Sequence, residues 1–231
     1  MAESSVPPEQ ARYLIKKLDS SALTPGVMDK IVSFSVEAFD QGRDPWVAAA
    51  TGGVVSLADG MLRSRVAAGM VAEGGRVYVA YEAQGSESEP VGVAVWMMPG
   101  EDLYATTAQK EAHYIAWQRQ VDPTVAAWCE HNMMLPVEQL VGNVRKDTWN
   151  LAFLAVDPRH HRRGIAKLLI GEVQRIALNR REGLSVLTQS RSNVGVYEVL
   201  GFQLRSNLEI VGGVGGDFTV YFLVQLVEGL L

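Results

Sequence analysis

A single cysteine, Cys129, stands in 231 residues. It excludes an intrachain disulfide and any multi-cysteine metal centre. The four histidines are scattered, which argues against a zinc site, so no metal is expected. Positive charge is also short: 21 Lys and Arg against 26 Asp and Glu leave a net charge of −5. That balance argues against nucleic acid as the main partner, because phosphate-backbone binding needs a basic face. No apolar run approaches membrane-spanning length. The opening MAESSVPPEQ lacks the basic region and apolar core of a secretory signal. The expectation is a cytoplasmic protein without a membrane partner, monomeric or homodimeric, and without internal repeats. What is present is ordinary globular material, 48% hydrophobic and 20% charged, enough for one domain carrying a sizeable insertion.

One stretch organises the rest, WNLAFLAVDPRHHRRGIAKLLIGEVQRIALNRREG, from Trp149 to Gly183. Its first eight residues, Trp149 to Val156, form an almost continuous apolar run and read as a strand buried on both faces. Pro158 cannot continue a central ladder. A basic knot follows, Arg159 to Arg163, and then Gly164-Ile165-Ala166. Apolar residues at 165, 169, 173 and 176 predict an amphipathic helix that stops at Gly183. Strand, basic small-residue turn and helix make an anion cradle. The first helical amides have no intrahelical acceptor, and Gly164 and Ala166 let a ligand approach the backbone.

Residues 1–10 are polar and proline-containing and are expected to be disordered. Arg12 to Leu18 suggests an edge strand. Thr24-Pro25 opens a helix to about Phe39, Asp44 to Gly53 a short helix, and Leu57 to Met70 another. Arg76–Ala83 and Val91–Met98 predict a hairpin, with a turn over 84–90. Residues 101–146 read as a helical insertion with a heavy aromatic and methionine load. Leu184–Gln189 is a strand parallel to 149–156, Asn193–Leu200 a helix, and Phe202–Val211 and Phe218–Val227 a glycine-linked hairpin. Residues 11–231 thus predict a single α/β domain.

The run LAVDPRHHRRGIAKLL resembles the acetyl-coenzyme A motif of the GCN5-related N-acetyltransferases, V-x-P followed by [QR]-x-x-G-x-[GA]. Val156, Pro158, Gly164 and Ala166 match, whereas His161 replaces the usual Gln or Arg at a position that acts mostly through its main chain. Asn193 to Phe202 is similar to the family's second signature, N-x-x-x-Y-x-x-x-G-F. The clear resemblance spans about residues 149–202, with a vaguer match from Val27 to Met98. It implies a mixed, mostly antiparallel sheet of about seven strands flanked by helices. It implies acetyl-CoA as cosubstrate, its pantetheine arm paired along Leu154, Ala155 and Val156 and contacted by Asn193. The pyrophosphate would lie on the amides of His161, Arg162, Arg163, Gly164, Ile165 and Ala166, with the Arg162 or Arg163 side chain assisting. Tyr197 takes the position of the acid that protonates the departing thiolate, although it also shares a helical face with Val194 and Leu200. Phe39, Trp46 and Tyr104 are candidate acceptor contacts.

A base is harder to find. By the resemblance the family's strand glutamate falls on Asn150, which accepts no proton, and Glu82, Asp147 and His113 are candidate substitutes. The implied activity is acetyl transfer to a primary amine, expected to be that of a small molecule. The alternatives are a protein-lysine or N-terminal acceptor, or a catalytically silent acyl-CoA-binding domain. The insertion is expected to form part of the acceptor site.

Overall fold

The computed structural model describes residues 12–84 and 89–227. The expected disorder of residues 1–10 and most of the 84–90 turn lie outside those residues. The order is β1 (Tyr13–Lys17), α1 (Pro25–Ala38), α2 (Pro45–Thr51), α3 (Ala58–Val71), β2 (Gly75–Glu82) and β3 (Pro90–Met97). A broken helical segment follows, including α4 (Pro123–Cys129) and α5 (Leu135–Lys146). The chain ends with β4 (Thr148–Val156), α6 (Ile165–Arg180), β5 (Gly183–Thr188), α7 (Arg191–Val199), β6 (Gln203–Ile210) and β7 (Phe218–Gln225).

The strands form one sheet in the order β1-β2-β3-β4-β5-β7-β6, antiparallel except for the β4–β5 pair. This is the expected mixed, mostly antiparallel architecture. Local chemistry starts the helices where the sequence predicts. Thr24 Oγ1 accepts from the Val27 amide at 3.3 Å, and Asp44 Oδ1 accepts from the Trp46 and Val47 amides at 3.0 and 3.3 Å. The end of α6 differs from expectation. Arg181, at φ 56°, supplies the left-handed cap, and Gly183 already belongs to β5. The glycine serves strand pairing instead, because a Cβ there would lie 3.0 Å from Thr148 Cγ2.

Strand alternation feeds two cores. Val77, Val79, Val93 and Val95 face α1 and α3, while Tyr78, Ala80, Ala94 and Trp96 face α6. Strand β4 changes sides partway along. Trp149 and Leu151 lie in the α6 core, but Phe153 and Ala155 lie in the other. Residues at even spacing share a face only while the pleat is regular, so an extra residue must intervene. The β3–β4 register supplies it: Trp96 pairs with Leu151 and Val95 with Phe153, leaving Ala152 as a bulge. The parallel pairing with β5 ends at the same place, Leu151 opposite Val186. Beyond it, β4 and β5 part.

The 101–146 segment packs behind α2 and α3. Trp117, Val121, Met133, Val137 and Val141 are buried in the α1–α3 core. A Cβ on Gly60 of α3 would meet the Trp117 ring at 3.0 Å, and Cys129 Sγ lies 3.2 Å from the Ala49 carbonyl oxygen of α2. Among the described residues no helix is long and apolar enough to cross a membrane.

Candidate active site

The parting of β4 and β5 opens a cavity of about 840 Å³. Its walls are the free half of β4 with the start of α6, the end of β5 with α7, and a third wall from α1, α2 and α3. Leu154, Ala155 and Val156 line it, as do His161, Arg162, Gly164, Ile165 and Ala166. Arg163 does not.

The turn into α6 leaves the helix start uncapped. Gly164 sits at φ 77°, where an L side chain would be strained, and no side chain caps the helix. The amides of residues 162–167 have no acceptor among the described residues; the first that does is Leu168, on the Gly164 carbonyl at 3.0 Å. Unpaired donors at the positive end of a 16-residue helix are an arrangement that favours anions, and of this run Arg162, Gly164, Ile165, Ala166 and Lys167 line the cavity. The expected run began one residue earlier, but the His161 amide is bonded to the Pro158 carbonyl at 3.2 Å. The His161 ring is also committed: its Nε2 lies 2.9 Å from the Val156 carbonyl oxygen. Of the three residues expected to pair with the pantetheine arm, Val156 thus already has one contact on its carbonyl oxygen.

The basic knot divides. Arg159 forms bidentate contacts with Asp157, Nε to Oδ1 at 3.0 Å and Nη2 to Oδ2 at 2.6 Å. Burial alone would raise the Asp157 carboxyl, yet the Arg159 side chain and amide hold it below its usual range. His160 Nδ1 lies 3.1 Å from the Tyr13 hydroxyl. Arg159 closes the turn on Asp157, and His160 ties it to Tyr13 of β1 while also lining the cavity, as Arg162 and Lys167 do. Arg162 adopts φ 59°, a left-handed conformation unusual for its type.

On the opposite wall, Asn193 lines the cavity with its Nδ2 3.4 Å from Thr188 Oγ1. Tyr197 also lines it, with its ring edge-on to Phe202 at 5.6 Å. No hydrogen bond holds the Tyr197 hydroxyl among the described residues, and burial pushes its pKa above the usual phenol value. Packing and cavity lining coexist in one side chain, so the sequence alternatives were not exclusive.

Phe39 and Trp46 lie in the third wall, with Phe39 stacked on Phe153 at 5.7 Å. Tyr104 does not reach the cavity. Its hydroxyl lies 2.7 Å from Ser64 Oγ and its ring is 4.3 Å from that of Tyr114. No residue of 101–146 lines the cavity, and Asp102 is tied to Arg145. The insertion supports the third wall from behind because its apolar side chains are spent on α2 and α3. Of the possible bases, Glu82 lies 3.6 Å from His160, while Asp147 and His113 are exposed. None of them, nor Asn150, lines the cavity.

Two charged lining side chains escaped the sequence reading, Asp44 and Arg65. Asp44 opens a short helix that the sequence predicts, and nothing in its spacing shows that the residue capping it also faces a cavity. Arg65 lay inside the helix predicted over Leu57 to Met70, with no motif around it to mark it.

A profile of the acetyltransferase (GNAT) family matches residues 81–202. No match is found among curated protein sequences. Among solved structures, the chain is similar to a Drosophila melanogaster polyamine N-acetyltransferase that forms N-acetylagmatine (TM-score 0.60, 17% identity, 93% of this chain and 99% of that one). It is also similar to a histone acetyltransferase HPA2 and related acetyltransferase from Corynebacterium glutamicum (TM-score 0.58, 16% identity, 94% and 97%). A third is the ribosomal-protein-S18-alanine N-acetyltransferase of Escherichia coli (TM-score 0.50, 12% identity, 95% and 99%). At such identities the structures speak for the fold alone. The profile match covers more than half of the sequence, and on it the chain belongs to the acetyltransferase (GNAT) family, whose acyl donor is acetyl-CoA.

Proposed function

We propose that this protein transfers the acetyl group of acetyl-CoA to a primary amine of a small molecule. We read it as one domain over residues 11–231 with an insertion at 101–146. The observation that carries the donor half is the run of amides at 162–167, without acceptors among the described residues, beside a strand that has parted from β5. Those residues fit the donor. The amides, with Arg162 and Lys167, take the pyrophosphate; main-chain groups of Leu154 and Ala155 pair with the pantetheine arm; Asn193 contacts the same arm from the other side.

The acceptor half supports a small molecule. Phe39, Trp46, Met61 and Leu62 give it apolar walls with few polar groups, the usual make-up of such sites. The unprotonated amine attacks the thioester carbonyl carbon, a C–N bond forms and the C–S bond breaks. Tyr197 gives its phenolic proton to the leaving sulfur, while the nitrogen releases one to solvent and the phenolate is reprotonated. A buried phenol of raised pKa stays protonated until that moment.

The test is free-thiol release from acetyl-CoA across a panel of small amines, lysine peptides and N-terminal peptides. Turnover with small amines is expected. Turnover with peptides alone would move the acceptor to protein. Donor binding without turnover on any amine would make the domain a sensor.

A further inference from the structure

The third wall of the cavity carries two opposite charges that do not neutralise each other. Arg65, on α3, donates from Nη1 to the Ala152 carbonyl at 3.1 Å. Ala152 is the bulged residue of β4, skipped by the β3 ladder and one place past the last β5 pairing, so its carbonyl is open to a side chain. One N–H thus pins the guanidinium at the point where the strands part. Among the described residues no other hydrogen bond or ion pair holds it, which leaves four of the fork's five N–H groups for a ligand. Asp44 faces the same cavity from the start of α2. Its Oδ1 is used by the Trp46 and Val47 amides, and Oδ2 has no partner among the described residues. Burial raises its carboxyl above the usual range, and Arg65 is near enough to pull it back in part, yet no ion pair joins the two.

We propose that Arg65 and Asp44 form a two-charge acceptor subsite that selects an amine also carrying a carboxylate, an amino-acid-like zwitterion. The inference rests on the acetyltransferase reading and names its substrate class. A guanidinium with free donors matches a carboxylate in bidentate geometry. A carboxylate with one free oxygen matches an ammonium group arriving before deprotonation. An acceptor with a positive charge alone would meet Arg65 as a repulsion, and one with a negative charge alone would meet Asp44. The zwitterion satisfies both. Because a desolvated site left with an unpaired polar group penalises the analogue that lacks it, discrimination of about tenfold or more follows.

Three matched acceptors test this: phenylalanine, phenylalaninamide and phenethylamine, with leucine, leucinamide and isoamylamine as a second set. kcat/KM is measured by thiol release for wild type, Arg65→Met, Arg65→Lys and Asp44→Asn, after calorimetry with CoA shows each variant folded and binding the donor. Wild type should prefer the amino acid over both partners by about tenfold or more. Arg65→Met should collapse that ratio towards one, and Arg65→Lys should restore part of it. Asp44→Asn, which keeps a good helix cap, should lower kcat/KM for all three acceptors and leave the ratio in place. A wild-type preference for the decarboxylated amine, or an unchanged ratio in Arg65→Met, overturns the proposal. An Arg65→Met effect on donor affinity alone assigns the residue to the donor and also overturns it. If no acceptor turns over, calorimetry of the amino acids against the CoA complex separates the two readings. Binding lost in Arg65→Met would keep the subsite and sink the acetyltransferase reading; no binding to wild type would sink the subsite.

Discussion

The two halves of the cavity are made of different material. On the proposed reading the donor half is backbone: the amides of residues 162–167, which have no acceptor among the described residues, a strand end and small residues that uncover them. The acceptor half is side chains, Phe39, Asp44, Trp46, Met61, Leu62 and Arg65, gathered from the link between α1 and α2, from α2 and from α3. A backbone site demands a fixed local sequence, because glycine at a positive φ and an uncapped helix start tolerate few substitutes. A side-chain site demands only that a scaffold hold it, so any residue that fits the acceptor will serve. One half can therefore be read as a motif, and the other only as geometry.

The contrast breaks most sharply at Gly164. Gly164→Glu places a carboxylate among the free amides, at a φ that costs an L residue on the order of 1 kcal/mol. The expected outcome is no thermal shift on adding CoA, with the folded far-ultraviolet spectrum retained; wild type should shift by mass action. A variant shifted as much as wild type would show that the amides of residues 162–167 hold nothing.

Tyr197 comes next. Tyr197→Phe keeps the edge-on packing against Phe202 and removes only the hydroxyl. If that hydroxyl supplies the proton, kcat should fall by about 10²- to 10⁴-fold with CoA affinity little changed. Full kcat in single-turnover conditions would leave Tyr197 a packing residue.

The basic turn gives a smaller and more pointed contrast. Arg162→Gly removes a cation that faces the cavity and relieves its positive φ. CoA affinity should drop about tenfold, with stability held or gained. Arg159→Gln removes a cation already engaged by Asp157 and should leave CoA affinity within about twofold by calorimetry, since Arg159 is outside the anion site. Equal losses in both variants would mean that the turn acts as a diffuse positive field rather than through one side chain.

Legibility follows the same division. The strand–turn–helix from Thr148 to Arg180 could be placed from its apolar run, its proline and its helical spacing. The bulge at Ala152 could not, because a strand buried on both faces has no alternation whose break would show. That hidden phase change sends Phe153 to stack on Phe39 and frees the carbonyl that holds Arg65. The division of labour in the basic knot was equally invisible, since Arg159 and Arg162 differ only in which neighbour reaches them first. The insertion misled for a third reason. Its aromatic load announces that it must bury against something, and composition does not distinguish a pocket wall from the back of one.

Tyr104 measures that last distinction. Its hydroxyl meets Ser64, which is fully buried on α3 and keeps a second bond to the Met61 carbonyl at 2.7 Å. Tyr104→Phe removes the inter-segment bond, leaves the ring on Tyr114 and leaves Ser64 satisfied. The cost should be about 1 kcal/mol, the worth of one neutral hydrogen bond, which lowers Tm by about 2–4 °C in a chain of this size. kcat/KM for any acceptor should stay within about twofold, because Arg65 is anchored independently on Ala152. A tenfold loss in kcat/KM with an unchanged Tm would reverse the assignment, placing the 101–146 segment inside the acceptor site rather than behind it. The expected pair, a small Tm loss with activity retained, makes the insertion the scaffold that lets a wall of unrelated side chains keep its shape.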